Sequence, residues 1–404
     1  MRIFYLILCG IILASCSRTS DTSLVPAGVP NGGASATRAA NVAHHLHGDH
    51  VVYAFTGGVD ASLPQTALVA LNGDFYGTTA LGGTAGDGTV FKVSSTGSES
   101  VLYSFQGGLD GVNPQSSLIA ANGELYGTTS GGATPSFGTV FKVDTAGNLS
   151  TVYTFTGPDG STPVAGLTAL NGDLYGTTEV GGANGLGAVY KISASGSESV
   201  LYSFKGAPDG SNPTAALVAV HGALYGTTFE GGSGAGFGTL FKVSTSGKEH
   251  VIYAFQANGT DGENPAASVI FVKGKFYGTT QEGGTDGHGT VFEVSSSGQE
   301  KVLHSFAGGA DGAAPQGGLI AVNGALYGPT AFGGMYGGAC HRDYSGCGTI
   351  FKITTSGTET LRYTFQGTDG AMPYATLIAV NKVLYGTTEL GGAPNYGTVF
   401  KIRP

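Results

Sequence analysis

A tandem repeat constrains this chain more than any other sequence feature. The motif Tyr-Gly-Thr-Thr, or once Tyr-Gly-Pro-Thr, begins at Tyr76, Tyr126, Tyr175, Tyr225, Tyr277, Tyr327 and Tyr385. Successive copies are 50, 49, 50, 52, 50 and 58 residues apart. A fixed period in this range indicates a repeat architecture in which each unit is one supersecondary element. The repeat therefore overrides the two or three domains that a length of 404 residues would suggest.

Each repeat unit contains four segments that are typical of short strands. Gly-Gly and then Gly-Thr-Val-Phe-Lys, or a near variant, follow every copy of the motif, and an apolar segment such as Val-Leu-Tyr-Ser-Phe comes next. In the second unit, strands are predicted at residues 117–121, 124–129, 138–143 and 151–155. Asn122-Gly123 is a strong signal for the hairpin between the first two of these strands. Four strands repeated radially predict an all-β fold, a β-propeller.

The ends of the repeat region favour a closed ring over the alternative, an open β-solenoid. The region begins with a lone fourth strand at residues 51–55 and ends after a third strand at 397–402. This arrangement fits a closed ring, because the N-terminal strand can become the fourth strand of the last blade and cover its exposed edge. We therefore expect residues 51–404 to form one seven-bladed propeller, and we expect a monomer.

The motifs resemble those of a known repeat family. Leu-Tyr-Gly-Thr-Thr, Gly-Gly and Gly-Thr-Val-Phe-Lys are similar to the bacterial Gloeo/Verruco (GloVer) repeat, and the resemblance covers nearly all of residues 51–404. The order of the elements also resembles kelch blades, although the kelch Trp is missing. The resemblance implies an exported, surface-anchored repeat protein. It implies no established enzymatic activity and therefore no catalytic residues.

The first residues are typical of a targeting segment rather than of folded structure. Arg2 precedes a mostly apolar stretch at residues 3–13, and Leu13-Ala14-Ser15-Cys16 resembles the lipobox of bacterial lipoproteins. We expect residues 1–15 to be a signal peptide, Cys16 to carry the lipid, and residues 16–50 to be a flexible tether. An ordinary cleaved signal with an incidental Cys is the alternative. The tether ends in His44, His45, His47 and His50, which could bind a metal or simply be a polar linker end.

Two of the four cysteines remain once the signal peptide and the lipid anchor are accounted for. Cys340 and Cys347 lie in one loop and are predicted to form a disulfide, since an exported protein meets oxidising conditions. The alternative is a metal site with His341, but two thiols and one imidazole make an incomplete zinc set.

Composition excludes some functions and leaves others open. A net charge of −9 with only 11% charged residues argues against nucleic acid as a partner. The chain has no Gly-x-Ser-x-Gly, His-Glu-x-x-His or P-loop motif. No cofactor is expected, with calcium as the open alternative.

Candidate binding residues are expected on the face that carries the long loops. Each Asp-Gly-x-x-Pro turn places an Asp there, which we expect to accept backbone N–H bonds within its own turn or to hold calcium. Departures from the repeat are better candidates for function than repeated residues. In blade six, Pro329 and several residues of the long loop depart from the repeat. In blade five, Glu293 and His304 depart from it. The candidate ligand contacts are Tyr336, His288, His341, Arg342, Asp343 and Tyr344.

These observations favour a non-enzymatic binding module in the bacterial cell envelope, lipid-anchored to a membrane, whose ligand is a glycan or a protein. The alternatives are a glycan-active hydrolase or lyase and a purely structural envelope protein. An enzyme needs two blade-specific carboxyl groups across a pocket, whereas a binder needs a shallow surface.

Overall fold

The computed structural model describes residues 50–132, 136–234, 236–256, 258–334 and 346–404. Seven four-stranded antiparallel sheets follow one another as the blades of a β-propeller, which confirms the predicted fold and blade count. Helical structure in these residues is confined to one 3-10 turn, η1, at Gly309–Asp311. They contain no helix long and apolar enough to cross a membrane.

The first four blades follow the predicted order of strands. The strands β1 (His50–Ala54) and β2 (Ala61–Ser62) precede blade one, which contains β3 (Val69–Leu71), β4 (Asp74–Thr79), β5 (Leu81–Gly82), β6 (Thr89–Ser94) and β7 (Glu99–Ser104). Blade two contains β8 (Ile119–Ala121), β9 (Glu124–Thr129), β10 (Thr139–Val143) and β11 (Leu149–Thr154). Blade three contains β12 (Thr168–Leu170), β13 (Asp173–Thr178), β14 (Ala188–Ile192) and β15 (Glu198–Ser203). Blade four contains β16 (Gly210–Ser211), β17 (Val218–Val220), β18 (Ala223–Thr228), β19 (Glu230–Gly231), β20 (Thr239–Ser244) and β21 (Glu249–Ala254).

The remaining blades repeat this arrangement. Blade five contains β22 (Gly262–Glu263), β23 (Ile270–Val272), β24 (Lys275–Thr280), β25 (Glu282–Gly283), β26 (Thr290–Ser295) and β27 (Glu300–Ser305). Blade six contains β28 (Ile320–Val322), β29 (Ala325–Thr330), β30 (Thr349–Thr354) and β31 (Glu359–Thr364). Blade seven contains β32 (Ile378–Val380), β33 (Val383–Thr388) and β34 (Thr398–Ile402).

The outer strand of blade seven comes from the other end of the repeat region. Strand β1 pairs antiparallel with β34, with His50 opposite Lys401 and Ala54 opposite Thr398. The sheet order is β1-β34-β33-β32, so this blade has four strands like the others. The strand begins and ends one residue earlier than the sequence prediction of 51–55.

Neighbouring blades are joined by pairs of buried aromatic rings. The Phe that follows each fourth strand packs edge to face on the aromatic residue in the third strand of the next blade. Seven such pairs have ring centroids 5.0–5.2 Å apart: Phe55–Phe91, Phe105–Phe141, Phe155–Tyr190, Phe204–Phe241, Phe255–Phe292, Phe306–Phe351 and Phe365–Phe400. Edge-to-face packing adds about 0.5–1.5 kcal/mol to the burial of such rings.

The Gly of the repeated motif makes room for these rings. A Cβ at Gly77 would lie only 2.5 Å from Cζ of Phe91, in the neighbouring strand of the same blade. Gly127 meets Phe141 in the same way, at 2.6 Å. The motif therefore requires Gly, because an aromatic ring packs directly against its backbone and leaves no room for a side chain.

The two threonines of the motif form buried hydrogen bonds with different partners. The first donates to a backbone carbonyl of the next blade in six of the seven blades, as from Thr78 to Ser116 and from Thr387 to Thr66. In blade six, Pro329 occupies this position and has no hydroxyl to donate. The second Thr bonds a Thr of the third strand, as in Thr79–Thr89 at 2.8 Å. In blade three that partner is Ala188, and Thr178 Oγ1 is left without a partner.

Removing the outer strand of blade seven is expected to destabilise the ring. Deleting residues 51–55 from the full chain removes the pairing with β34 and the fully buried Phe55. We expect a loss of at least about 3 kcal/mol, the usual result of removing a buried Phe side chain. Thermal and urea unfolding followed by circular dichroism measure the effect, and a five-residue deletion at 36–40 is the control. Equal unfolding curves for the two deletions would contradict the closure.

Candidate functional site

The long loops of every blade lie on one face of the propeller and are tied to each other. The loop between the second and third strands pairs with the loop that enters the blade, through the strand pairs β2–β5, β16–β19 and β22–β25. Isolated bridges do the same in the other four blades, as between Val112 and Gly131 and between Ala313 and Phe332. We call this surface the long-loop face. Because both loops of a blade are held by backbone hydrogen bonds, side chains on this face are preorganised.

A narrow cavity lies on the axis, where the chain enters the first strand of each blade. Its volume is about 190 Å³. Corresponding small residues of the seven blades line it: Ala67, Ser117, Gly166, Ala216, Ser268, Gly318 and Thr376. Apolar side chains such as Ile119 and Leu319 complete the wall, and none of the described residues that line it carries a carboxyl group. Small-molecule sites usually occupy about 300–1,000 Å³, so this cavity is too small to enclose a sugar chain.

Two half-buried glutamates occupy equivalent positions directly after the repeated motif on the long-loop face. Glu389 in blade seven accepts a hydrogen bond from Gln65 Nε2 of blade one at 2.8 Å. Burial raises the pKa of the Glu389 carboxyl, and the bond from Gln65 offsets part of this effect. Burial raises the pKa of Glu179 as well, and the nearby Glu230 carboxylate adds to it. These carboxyls were expected on this face, but Gln65 was missed because 324 residues separate it from its partner.

The repeated Asp residues belong to the turns, as predicted. Each carboxylate accepts a hydrogen bond from the backbone N–H of the residue after the buried Phe. Six of them also accept a bond from a Tyr hydroxyl of the fourth strand, at Tyr53, Tyr103, Tyr153, Tyr202, Tyr253 and Tyr363. These Asp oxygens therefore hold the loop in place, which is a structural role.

Five of these Asp carboxylates have a neighbouring glutamate, which lies in the outer strand of the next blade. The five are Glu99, Glu198, Glu249, Glu300 and Glu359, and Oε1 of each is buried with no hydrogen-bond partner. In the first four of these glutamates the pKa is raised to about 7. Burial is the largest cause, and the neighbouring Asp carboxylate is the second. We call these groups the rim clusters. Sequence reasoning missed them, although the Glu four residues before the Tyr or His of the fourth strand was a visible signal.

One rim cluster differs chemically, because His304 replaces the Tyr. Its Nε2 lies 3.2 Å and 3.1 Å from the two carboxylate oxygens of Asp311. Burial lowers the pKa of His304, but the bond to Asp311 outweighs it and the net pKa is raised. Donor atoms of His304, Asp311 and Glu359 lie within 4.8 Å of one another. Among the described residues, this is the set that could hold a metal ion.

The other departures from the repeat have structural explanations or cannot be placed. Glu293 pairs with Lys275 at 2.6 Å. This reverses the Asp74–Lys92 pair of blade one, so the departure has a structural explanation as a charge swap. His288 is exposed, and its ring packs over Gly308 in the loop before blade six. Tyr336, His341, Arg342, Asp343 and Tyr344 lie outside the described residues.

The predicted disulfide and lipid anchor also involve residues outside the described ranges. Cys347 is buried in the core between blades six and seven. Cys340 and Cys16 lie outside the described residues, and so do the tether histidines His44, His45 and His47. The disulfide therefore stays a prediction.

The sequence matches one family directly. The Gloeobacter/Verrucomicrobia repeat matches residues 31–237 and again residues 193–400. The chain belongs to this repeat family. The two matches together span nearly the whole propeller, and the resemblance seen in the motifs is confirmed. No curated protein sequence matches the chain.

Solved structures also include proteins that are similar to this family member. A streptogramin B lyase aligns over 84% of this chain and 93% of its own, with 16% identity and a TM-score of 0.55. A 6-phosphogluconolactonase-like protein from Bacteroides uniformis ATCC 8492 aligns over 78% of this chain and 88% of its own, with 14% identity and a TM-score of 0.49. The similarity to the lyase supports the propeller fold, and at 16% identity it carries no activity over to the repeat family.

The rim clusters are expected to make stability depend on pH. The folded pKa of each Glu exceeds its ordinary value, so its contribution is fully present below pH 4.5 and is lost as pH rises through about 7. The groups are only half-buried, and after solvent screening each contributes about 1 kcal/mol. We expect the melting temperature to fall by several degrees between pH 4.5 and 7.5. Replacing Glu99, Glu198, Glu249 and Glu300 with Gln should flatten this dependence, whereas Glu282→Gln, at an exposed site, should not. An unchanged slope in the fourfold variant would contradict the assignment.

Proposed function

We propose that this protein is a lipid-anchored binding module of the bacterial cell envelope, and that its long-loop face recognises a glycan. The observation that carries the proposal is the axial cavity of about 190 Å³, whose lining in the described part of the chain contains no carboxyl group. A site of this size cannot enclose a sugar chain, so we assign recognition to the paired loops of the long-loop face. Because those loops are tied pairwise by backbone bonds, they can bind with little loss of conformational entropy.

Unrepeated polar groups on the long-loop face suit a hydroxyl-rich ligand. The Glu389–Gln65 pair offers carboxylate acceptors and amide donors side by side, and Glu179 adds a second carboxyl from another blade. Elsewhere, the repeated Asp and Thr side chains are engaged in bonds that hold the fold. The unrepeated residues on this face are therefore the ones available for a ligand. Tyr336, His341, Arg342, Asp343, Tyr344 and His288 remain the proposed contacts from blades five and six.

A glycan-active hydrolase or lyase is the second candidate. The raised pKa of Glu389 favours it, because a general acid needs a carboxyl group whose pKa lies above the ordinary value. The small cavity weighs against it, since hydrolysis also needs a second carboxyl across an enclosed bond. Turnover of a bound glycan that Glu389→Gln abolishes without weakening binding would favour the enzyme.

The lipid anchor is proposed from the Leu-Ala-Ser-Cys run. Replacing Cys16 with Ser removes the thiol that would carry the acyl chains, and acyl chains supply the membrane affinity. We expect the variant to move from the membrane fraction to the soluble fraction after cell lysis and centrifugation. Cys9→Ser, a cysteine replacement within the predicted signal peptide, is the matched control. Unchanged membrane partitioning of Cys16→Ser would exclude Cys16 as the anchor.

Glycan binding is tested on an array with the chain from residue 46 onward, which contains every blade. We expect wild type to bind a subset of glycans, and Glu389→Ala to weaken binding at least tenfold, as expected when a charge-assisted hydrogen bond of about 1.5–3 kcal/mol is lost. The double variant His341→Ala with Arg342→Ala should weaken binding with a nearly unchanged melting temperature. Lys248→Ala, in an exposed turn on the opposite face, is the control. An array without a bound glycan would contradict the proposed ligand class.

A further inference from the structure

We propose that His304, Asp311 and Glu359 form a zinc site that joins the outer edges of blades five and six. His304 lies in β27, the outer strand of blade five, and Glu359 lies in β31, the outer strand of blade six. Asp311 ends the 3-10 turn η1 in the segment that connects the two blades. The site is separate from the mouth of the axial cavity and does not depend on the proposed function.

The donor atoms are close to the positions that a metal ion needs. One imidazole nitrogen and two carboxylate oxygens converge within 4.8 Å of one another. The atoms His304 Nε2 and Asp311 Oδ2 are already 3.1 Å apart. Ligand atoms bound tetrahedrally to zinc at ~2.0–2.1 Å lie roughly 3.3 Å from each other. A shift of about 1.5 Å or less, within the reach of the Glu359 side chain, therefore completes the set.

An unsatisfied oxygen points to a missing partner in this cluster. Glu359 Oε1 is buried and has no hydrogen-bond partner. Burial and the nearby Asp311 carboxylate both disfavour the ionised form of Glu359, and His304 offsets part of this effect. A divalent cation satisfies the oxygen and neutralises both carboxylates at once. The other two ligand side chains are 21% and 24% exposed, so an ion can enter from solvent.

The ligand types select zinc or a closely related ion. Imidazole favours first-row transition metals over magnesium and calcium, and carboxylates complete many zinc sites. Three protein ligands leave a fourth position for water. In the rim clusters that keep Tyr, the phenol hydroxyl donates to Asp instead, as from Tyr53 to Asp60 at 3.0 Å. The replacement by His304 changes this donor into a metal ligand.

Zinc binding is tested by calorimetry and thermal unfolding on the full chain. Wild type is expected to bind one zinc ion more than His304→Tyr, which restores the residue that the repeat places there. Glu359→Gln should lose the same ion. Any zinc held by His44, His45 and His47 is common to all three proteins and cancels in the comparison.

The melting temperature provides the second readout. An ion that binds the folded state and bridges two blades stabilises the fold. Zinc should therefore raise the melting temperature of wild type by several degrees and leave that of His304→Tyr unchanged. Equal stoichiometry in wild type and His304→Tyr, or an equal thermal shift, would overturn the proposal.

Two matched substitutions transfer the site to other blades. Tyr53→His creates a His–Asp–Glu set with Asp60 and Glu99, and it should add one zinc ion to wild type. Tyr103→His creates only a His–Asp pair with Asp110, because Leu149 occupies the position of the Glu in the next blade. It should add none. An added ion in Tyr103→His equal to that in Tyr53→His would show that the Glu is not a ligand, and it would overturn the three-residue site.

Discussion

The edge-to-face contact between a Phe of one blade and an aromatic ring of the next is the interaction on which the rest of the structure depends. It recurs seven times with ring centroids 5.0–5.2 Å apart, and every ring in it is buried. It fixes the motif glycine, because Phe91 crosses Gly77 and leaves no room for a Cβ. It also fixes the turn that follows, because the residue after each Phe donates its N–H to the repeated Asp, as from Thr56 to Asp60. One packing contact thus accounts for three elements of the repeat.

The strands could be predicted from the sequence because each lies between strong local signals that recur seven times. Residues 124–129 were predicted and observed without change, since a hairpin and the motif bound that strand. The first strand is shorter than predicted, at Ile119–Ala121 rather than 117–121, because Ser117 turns to the axis and accepts a bond from Ala67 N in another blade. The fourth strand begins at Leu149 rather than 151, because pairing with Val143 continues to the hairpin.

Contacts between blades could not be predicted, and most of the candidate sites consist of such contacts. A period in sequence shows which residues are equivalent, but not which equivalent positions of neighbouring blades meet. The carboxyl of Glu99 meets Asp60, and Glu389 meets Gln65, only because the ring brings these segments together. The departure at Glu293 has a different explanation, which is a contact within one blade. Its partner Lys275 lies in the adjacent strand, and the pair reverses the usual charges without changing the contact.

Departures from a repeat therefore differ in what they imply. The residues in contact with each departure show whether it changes the chemistry of the blade. Glu293 is compensated by a second change at Lys275, so the interaction survives and the departure carries no new chemistry. Ala188 is uncompensated, because it has no hydroxyl group and Thr178 Oγ1 is left without a hydrogen-bond partner. His304 belongs to neither class, since it keeps the contact with Asp311 that Tyr makes in the other blades. It replaces a hydroxyl by a nitrogen that can bind metal while the Glu beside it stays unsatisfied, and a change of that kind adds a property to the fold.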